Sequence, residues 1–344
     1  MVKAIIRGSG TWLPQRVVSN EELAPRLGLS PAQIVKSSGI KQRHWVSSGE
    51  STGSLAAEAL RFALDDASMK AAEIDYLLFG TMTPDRFIPG TGPAIQNAVG
   101  LPEIPCLDIR AACCNALYAL QLARALISSG AARNVAICLA DAQSPFLDLS
   151  LQSGSVSMLF GDGASALIVC AEEASPGGPT SHRGVEVIDV LLASNGQYID
   201  DLGIRCPGSE FGIANTHPAS EHSADYAPRM NGQSVILQAS RRMVSASKSL
   251  LERNHLTVAN VSWIVPHQAN ANLLAQVARG LGISSPCEVV SVIEDSGNTS
   301  SASMGIALDK LRRTQTVKAG DYLLLPGFAA GFTWGAGLCR ALND

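Results

Sequence analysis

The 344-residue chain is poor in charge, in aromatic rings and in any regular cysteine spacing, and each shortage closes off a class of function. Charged residues make up 16% and the net charge is −4, with no block of like sign. That excludes the electrostatic footprint of a binder of nucleic acid or of an anionic membrane. Eight cysteines occur, none as a CxxC pair. This argues against a structural zinc site, and the opening MVKAIIRGSG carries no apolar run of signal-peptide length. Reduced thiols in a cytoplasm are therefore expected, not a disulfide frame. Residues Tyr322 to Cys339 carry no charge, but Pro326, Gly327, Gly331, Gly335 and Gly337 break that run into strand and turn, so it is not expected to span a membrane. Cys206, His217 and His222 have ligating side chains, yet they fall in a polar, Gly/Pro-containing stretch that reads as surface loop. No metal and no cofactor is expected.

What is present is 46% hydrophobic residues with only 5% aromatics, a composition of small-residue packing in a globular α/β protein. Short β-branched runs alternate with amphipathic segments, which predicts a mostly parallel sheet with helical crossovers. STGSLAAEALRFALDDASM places Leu55, Ala56, Leu60 and Ala63 on one helical stripe ahead of the strand IDYLLFGT. SMLFGDGASALIVC reads as two strands joined at a tight Asp162-Gly163 turn. After the break EEASPGGPTSHRG the pattern repeats. A long helix again precedes a strand, VSWIVPHQ, and Gly80 and His267 end the matching strands at an offset of 187 (267 − 80). Cys113 and Asn298 then fall at matching strand-to-helix junctions at an offset of 185 (298 − 113). Near-equal offsets predict a duplicated α/β unit, with halves 1–172 and 173–344.

Strand ends next to helix starts are where α/β sheets place their chemistry. RAACCNALYALQ puts two cysteines at such a junction. A cysteine there meets the positive end of the helix dipole and free backbone N–H groups, which favour thiolate and could hold an oxyanion. Helical spacing leaves both cysteines open, since Cys113/Leu117/Leu120 and Cys114/Tyr118/Gln121 are each plausible faces. The more polar second stripe favours Cys113 as the inward one. His267 in WIVPHQAN and Asn298 in SGNTSSAS are the partners that the repeat brings forward.

GTWLPQRVVSNEEL, SGIKQRH, RAACCNALYAL, FGDGASALIV, VPHQANANL, SGNTSSAS and GFTWGAGL, in order along nearly the whole chain, resemble the β-ketoacyl-ACP synthase III family of the thiolase superfamily. The resemblance implies a thiolase-like fold of five layers, αβαβα, and selects Cys113 as nucleophile, with Cys114 left to packing. It implies a triad of Cys113, His267 and Asn298. The cysteine would accept an acyl group from a CoA or acyl-carrier-protein thioester. The other two would hold the carbonyl of a malonyl thioester as CO₂ leaves. It further implies an oxyanion hole from the N–H groups of Cys113 and Gly331, a tunnel residue at Phe160, and a homodimer in which Phe87 and Ile88 close the partner's acyl pocket.

The chain also departs from that pattern. The Trp and Arg that grip the CoA nucleotide are replaced by Gln33 and Ser37, and LQSGSVSMLF lacks the expected Arg. Asn272 and Leu237 stand where basic residues are expected, and Arg110 where a small one is usual. Without stacking and guanidinium–phosphate contacts, CoA should bind poorly, so carrier-bound or unusual acyl donors of a side-branch synthase are expected. The alternatives are an acyltransferase passing the group to an alcohol or amine, and condensation of two β-ketoacyl chains to a pyrone. Intact Asn298 weighs against the first, and Ile88, where head-to-head relatives place an acid, against the second. A papain-like protease lacks support, because no Trp follows the cysteine and the α/β pattern is duplicated. IRGSGTWLP is not a dinucleotide loop, since Leu13 replaces the third glycine and Pro14 blocks the helix start.

Overall fold

The computed structural model describes residues 2–151, 153–173, 184–209, 223–314 and 317–342. In the first half, β1 (Val2–Trp12) leads to a small hairpin of β2 (Arg16–Ser19) and β3 (Gln42–Trp45) enclosing α1 (Asn20–Leu23) and α2 (Pro31–Ser38). Then follow α3 (Thr52–Asp66), β4 (Tyr76–Gly80), α4 (Gly92–Val99), β5 (Cys106–Ile109), α5 (Asn115–Ser128), β6 (Asn134–Asp141), α6 (Gly154–Ser157) and β7 (Gly163–Glu173). The second half runs β8 (Val185–Ser194), β9 (Leu202–Gly203), β10 (Arg229–Met230), α7 (Gly232–Arg253), β11 (Val261–Ile264) and α8 (Ala271–Leu281). It ends with β12 (Glu288–Val289), α9 (Ile293–Ser296), α10 (Ser303–Arg313), β13 (Tyr322–Ala329) and β14 (Thr333–Ala341).

The duplication is visible in the strand order, β12-β11-β13-β14-β8-β1-β7-β6-β4-β5. Read outward from the centre, β1-β7-β6-β4-β5 and β8-β14-β13-β11-β12 are the same topology. Among the described residues the central strands of the two half-sheets, β1 and β8, pair at Ile5↔Glu186 and Ile6↔Val185. Apolar residues of α5 (Leu117, Leu120, Ile127) and α10 (Met304, Ile306, Leu308) fill the space between the two half-sheets. The stripe of α3 covers the outer face of the first half, and α7 with α8 that of the second. The result is the expected αβαβα order. Each fully buried Leu or Ile in these layers contributes about 2 kcal/mol.

GSG in β1 serves the α3 contact. A Cβ on Gly8 would lie 2.2 Å from the Ala63 carbonyl oxygen, and one on Gly10 2.3 Å from that of Ala59. These glycines let helix and strand backbones touch.

One local expectation fails. Among the described residues no strand runs directly into Asp162: α6 (Gly154–Ser157) precedes it, with Gly154 against the Leu27 backbone, and β7 starts only at Gly163. Asp162 is fully buried and accepts the N–H of Val46 (2.7 Å) and of Ser144 (2.8 Å) as well as the Ser144 hydroxyl. It is an anchor for three segments rather than a hairpin tip.

Candidate active site

Cys113 sits in a single 3-10 turn, Ala112–Cys114, between β5 and α5. Its counterpart in the second half is the turn Ser300–Ala302, between Asn298 and α10. Ala112 (φ 49°) and Ser300 (φ 48°) hold the same left-handed conformation at an offset of 188 (300 − 112). For a residue with a side chain that conformation costs about 1 kcal/mol, and here the two turns meet. The Cys113 sulfur lies 3.5 Å from the Ser300 hydroxyl, and the Ser301 hydroxyl accepts from the Asn115 amide at 2.8 Å. Asp141 ties this junction to the wall of the site. Its buried carboxylate accepts the N–H groups of Met82 (2.6 Å), Thr83 (3.1 Å) and Ser301 (2.9 Å) and the hydroxyls of Thr81 and Thr83.

Asn298 is held by its backbone, which donates to Leu159 O (2.8 Å) and accepts from Gly161 N (3.1 Å). Its side-chain oxygen accepts the Ser300 N–H at 2.9 Å. A backbone N–H can only donate, so the oxygen is identified and the NH₂ is left for the cavity. His267 follows β11 and is fixed in the same way. Its Nδ1 lies 2.7 Å from the Ser303 hydroxyl, which also accepts the Gln268 N–H at 3.2 Å. Among the described residues Nδ1 is the one acceptor within reach of the Ser303 proton, so Ser303 donates to Nδ1. The imidazole proton then sits on Nε2, the nitrogen left for the cavity. The buried Gln268 side chain pins the segment to Pro266 O, Val290 O and Val292 N, and Asn270 caps α8.

Cys113, His267, Asn298 and Ser300 line one cavity of about 310 Å³, together with Phe87, Phe160, Leu202, Ile204, Met230 and Ile236 among others. The three sequence-predicted residues are thus brought together from both halves. Ile88, expected at the partner's pocket, is 79% exposed and does not line this chain's own cavity. Gly331, expected as an oxyanion donor, follows the end of β13 with φ 129°, next to the wall residues Ala329 and Ala330. Ser303 and Asp141 were not anticipated from the sequence. Ser303 stands inside SGNTSSAS, and only its 2.7 Å contact with a residue 36 positions away reveals it. His217 and His222 lie outside the described residues. Among the described residues no three His, Cys, Asp or Glu side chains cluster as metal ligands, and no helix is long and apolar enough to cross a membrane.

The electrostatics correct a further expectation. Helix-dipole activation predicted a ready thiolate. Instead burial pushes the Cys113 thiol up to about 11, with Asp141 adding to the rise and the Ser300 hydroxyl opposing it, although the residue keeps partial exposure through the cavity. Burial also pushes His267 down to about 4. At neutral pH the pair rests as thiol and neutral imidazole. The His267 value carries a stability prediction. An unfolded histidine titrates near about 6.5, so below that pH the unfolded chain binds a proton that the folded chain refuses. Stability present above pH ~6.5 is lost as pH falls through about 4, by about 3 kcal/mol from this residue. Denaturant titrations at several pH values should show His267→Gln escaping that loss, and parallel curves for the two proteins would disprove it.

The positions that depart from the CoA-gripping pattern are engaged locally. Gln33 closes a capping box with Ser30, and the Ser37 hydroxyl donates to Gln33 O at 2.7 Å. Asn272 donates to Lys36 O (3.2 Å) and Ser37 O (2.9 Å), and Leu237 is 57% exposed.

The chain is similar to known proteins over nearly its whole length. Residues 107–195 match the family model for 3-oxoacyl-[acyl-carrier-protein (ACP)] synthase III, and residues 251–341 match its C-terminal model. The β-ketoacyl-[acyl-carrier-protein] synthase III of Neisseria meningitidis serogroup C is 37% identical over 341 residues, covering 99% of this chain and 100% of the relative. The crystal structure of 3-oxoacyl-(acyl carrier protein) synthase III from Pseudomonas aeruginosa PAO1 superposes with a TM-score of 0.87 at 31% identity, covering 99% of each chain. The priming β-ketosynthase of the R1128 polyketide pathway superposes equally well, at 30% identity over 99% of this chain and 97% of that one.

Proposed function

Because the chain belongs to the 3-oxoacyl-[acyl-carrier-protein] synthase III family of condensing enzymes, we propose that Cys113, His267 and Asn298 carry its reaction. Cys113 Sγ attacks the carbonyl of an acyl thioester. The new C–S bond replaces the old one, and the carrier thiol departs with the cysteine proton. A malonyl thioester then enters and loses CO₂. The electron pair of the broken C–C bond becomes an enolate, whose carbon attacks the acyl-cysteine carbonyl and returns the sulfur. One observation supports this above the others. The Asn298 NH₂ and the His267 Nε2–H are both donors aimed into the cavity, because their acceptor atoms are already bonded to Ser300 and Ser303. Two neutral, preorganised donors at one oxygen stabilise a developing enolate without solvent reorganisation. For the acyl-transfer oxyanion we propose the N–H groups of Cys113 and Gly331, the latter one residue past the wall residues Ala329 and Ala330.

Carrier-bound or unusual acyl chains, rather than acetyl-CoA, are the proposed donors. Side chains that would stack on adenine or fork onto phosphate are replaced by Gln33, Ser37 and Asn272, whose polar atoms are bonded to the α2 backbone. A cytoplasmic homodimer is also proposed. Among the described residues no strand pairs with the outer edge of β5, and the neighbouring Phe87 and Ile88 are 75% and 79% exposed. Intact-protein mass spectrometry after incubation with acetyl-CoA, a long-chain acyl-CoA or an acyl-carrier protein tests the donor assignment. Carrier-bound acyl groups should load Cys113 and be discharged by a malonyl carrier protein with release of CO₂. Efficient loading by acetyl-CoA would overturn the donor assignment, and discharge to an alcohol or amine without CO₂ would overturn condensation.

A further inference from the structure

In the first half three parallel strands lie side by side, in the order β6-β4-β5, and the residues just past each C-terminal end line the cavity. Met82 and Thr83 follow β4, Arg110 follows β5 and Gln143 follows β6. Adjacent strands are about 4.8 Å apart, so Arg110 and Gln143 flank a gap of about 10 Å across the end of β4. The Thr83 hydroxyl is fully used, donating to Asp141 and accepting the Ala142 N–H at 2.9 Å. The other two polar side chains are not used. Among the described residues Arg110 is the one charged residue on the cavity wall, and its guanidinium meets no carboxylate and no other acceptor. Gln143 is only 6% exposed, and its carboxamide likewise has no hydrogen-bond partner among the described residues. A carboxamide so nearly buried, opening on the cavity and bonded to no described residue, has its NH₂ and its oxygen free for a bound group.

We propose that Arg110 and Gln143 form a subsite for a carboxylate at the far end of the acyl group, so that the enzyme takes thioesters of short dicarboxylic half-acids. The proposal rests on the condensing-enzyme reading, since it needs an acyl group on Cys113. A guanidinium presents paired N–H donors matched to a carboxylate, and the Gln143 NH₂ adds a third donor from the opposite side. The rest of the wall is largely apolar: Phe87, Phe146, Leu159 and Phe328 offer the acid no competing partner. A plain alkyl chain would strip water from Arg110 and leave both polar groups unmatched, which is the stronger source of discrimination.

The test compares succinyl and glutaryl with butanoyl and pentanoyl groups on one carrier, following acylation of the full-length chain by mass. Acid-ended groups should load at least ~10-fold faster on the wild type. Arg110→Met should reverse the preference, and Gln143→Leu should narrow it. If Arg110→Met does not fold, Arg110→Lys keeps the charge without the fork and should narrow the preference too. Equal loading of alkyl and acid-ended groups on the wild type, or an unchanged ratio in the folded variants, would overturn the subsite. Cys113 would still be acylated in those cases, leaving the condensing-enzyme reading intact. No acylation by any thioester would remove both.

Discussion

Replacing Cys113 with alanine is expected to abolish acyl loading, lowering condensation by about 10⁴-fold or more, whereas Cys114→Ala should keep its loading. The two cysteines are neighbours in sequence and opposites in environment. Cys113 borders the cavity with its sulfur 3.5 Å from the Ser300 hydroxyl. Cys114 is fully buried, with its sulfur 3.6 Å from Thr333 O and packed toward Gly327, and burial pushes its thiol well above the ordinary range. A substrate cannot reach it without opening the β13–β14 layer. The Cys113 thiol, pushed up to about 11, adds a kinetic signature. Alkylation by iodoacetamide should rise roughly tenfold per pH unit from neutrality to about pH 10, with no plateau at pH 6–8. A plateau there would mean a resting thiolate, and persistent acylation in Cys113→Ala would move the nucleophile to Cys114.

The helix dipole led to the expectation of a thiolate at this junction, whereas burial raises the Cys113 thiol, and the reason is geometric. Dipole and N–H effects are local and legible at a strand-to-helix junction, whereas desolvation depends on what the other half of the chain stacks over the sulfur. The same division separates the rest of what the sequence disclosed from what it hid. Near-equal offsets paired β4 with β11, because duplication preserves spacing, but the matched turns set Ser301 opposite Cys113 and leave Asn298 three residues ahead of that serine. Asp162-Gly163 was misread as a hairpin because a buried carboxylate with three donors from Val46 and Ser144 looks, in sequence, like a turn. Ser303 and Gln143 carry no local signal. Their meaning comes from contacts made across 36 residues and across three strands.

The sharpest test of the division of labour is a split between half-reactions. His267→Ala and Asn298→Ala should each load acyl groups within a few-fold of wild type yet lose about 10²- to 10³-fold in malonyl decarboxylation and condensation. The expectation follows from the proton positions. With Nδ1 accepting from Ser303, His267 has no free lone pair facing the cavity and cannot serve as the base for Cys113, so loading should tolerate its removal. Decarboxylation cannot, since the Nε2–H and the Asn298 NH₂ are the donors that meet the growing enolate charge. Ser303→Ala should imitate His267→Ala in kind and fall short in degree. Freed from its donor, the imidazole redistributes between tautomers, and only the Nε2–H form remains productive. Because the hydroxyl touches neither substrate, a purely structural role would lower both half-reactions together. Release of labelled CO₂ from a malonyl thioester, set against acylation by mass in the same preparations, separates the cases. Equal loss of loading and decarboxylation in His267→Ala would instead make the histidine a base, and would require the proton to sit on Nδ1 with Ser303 as its acceptor.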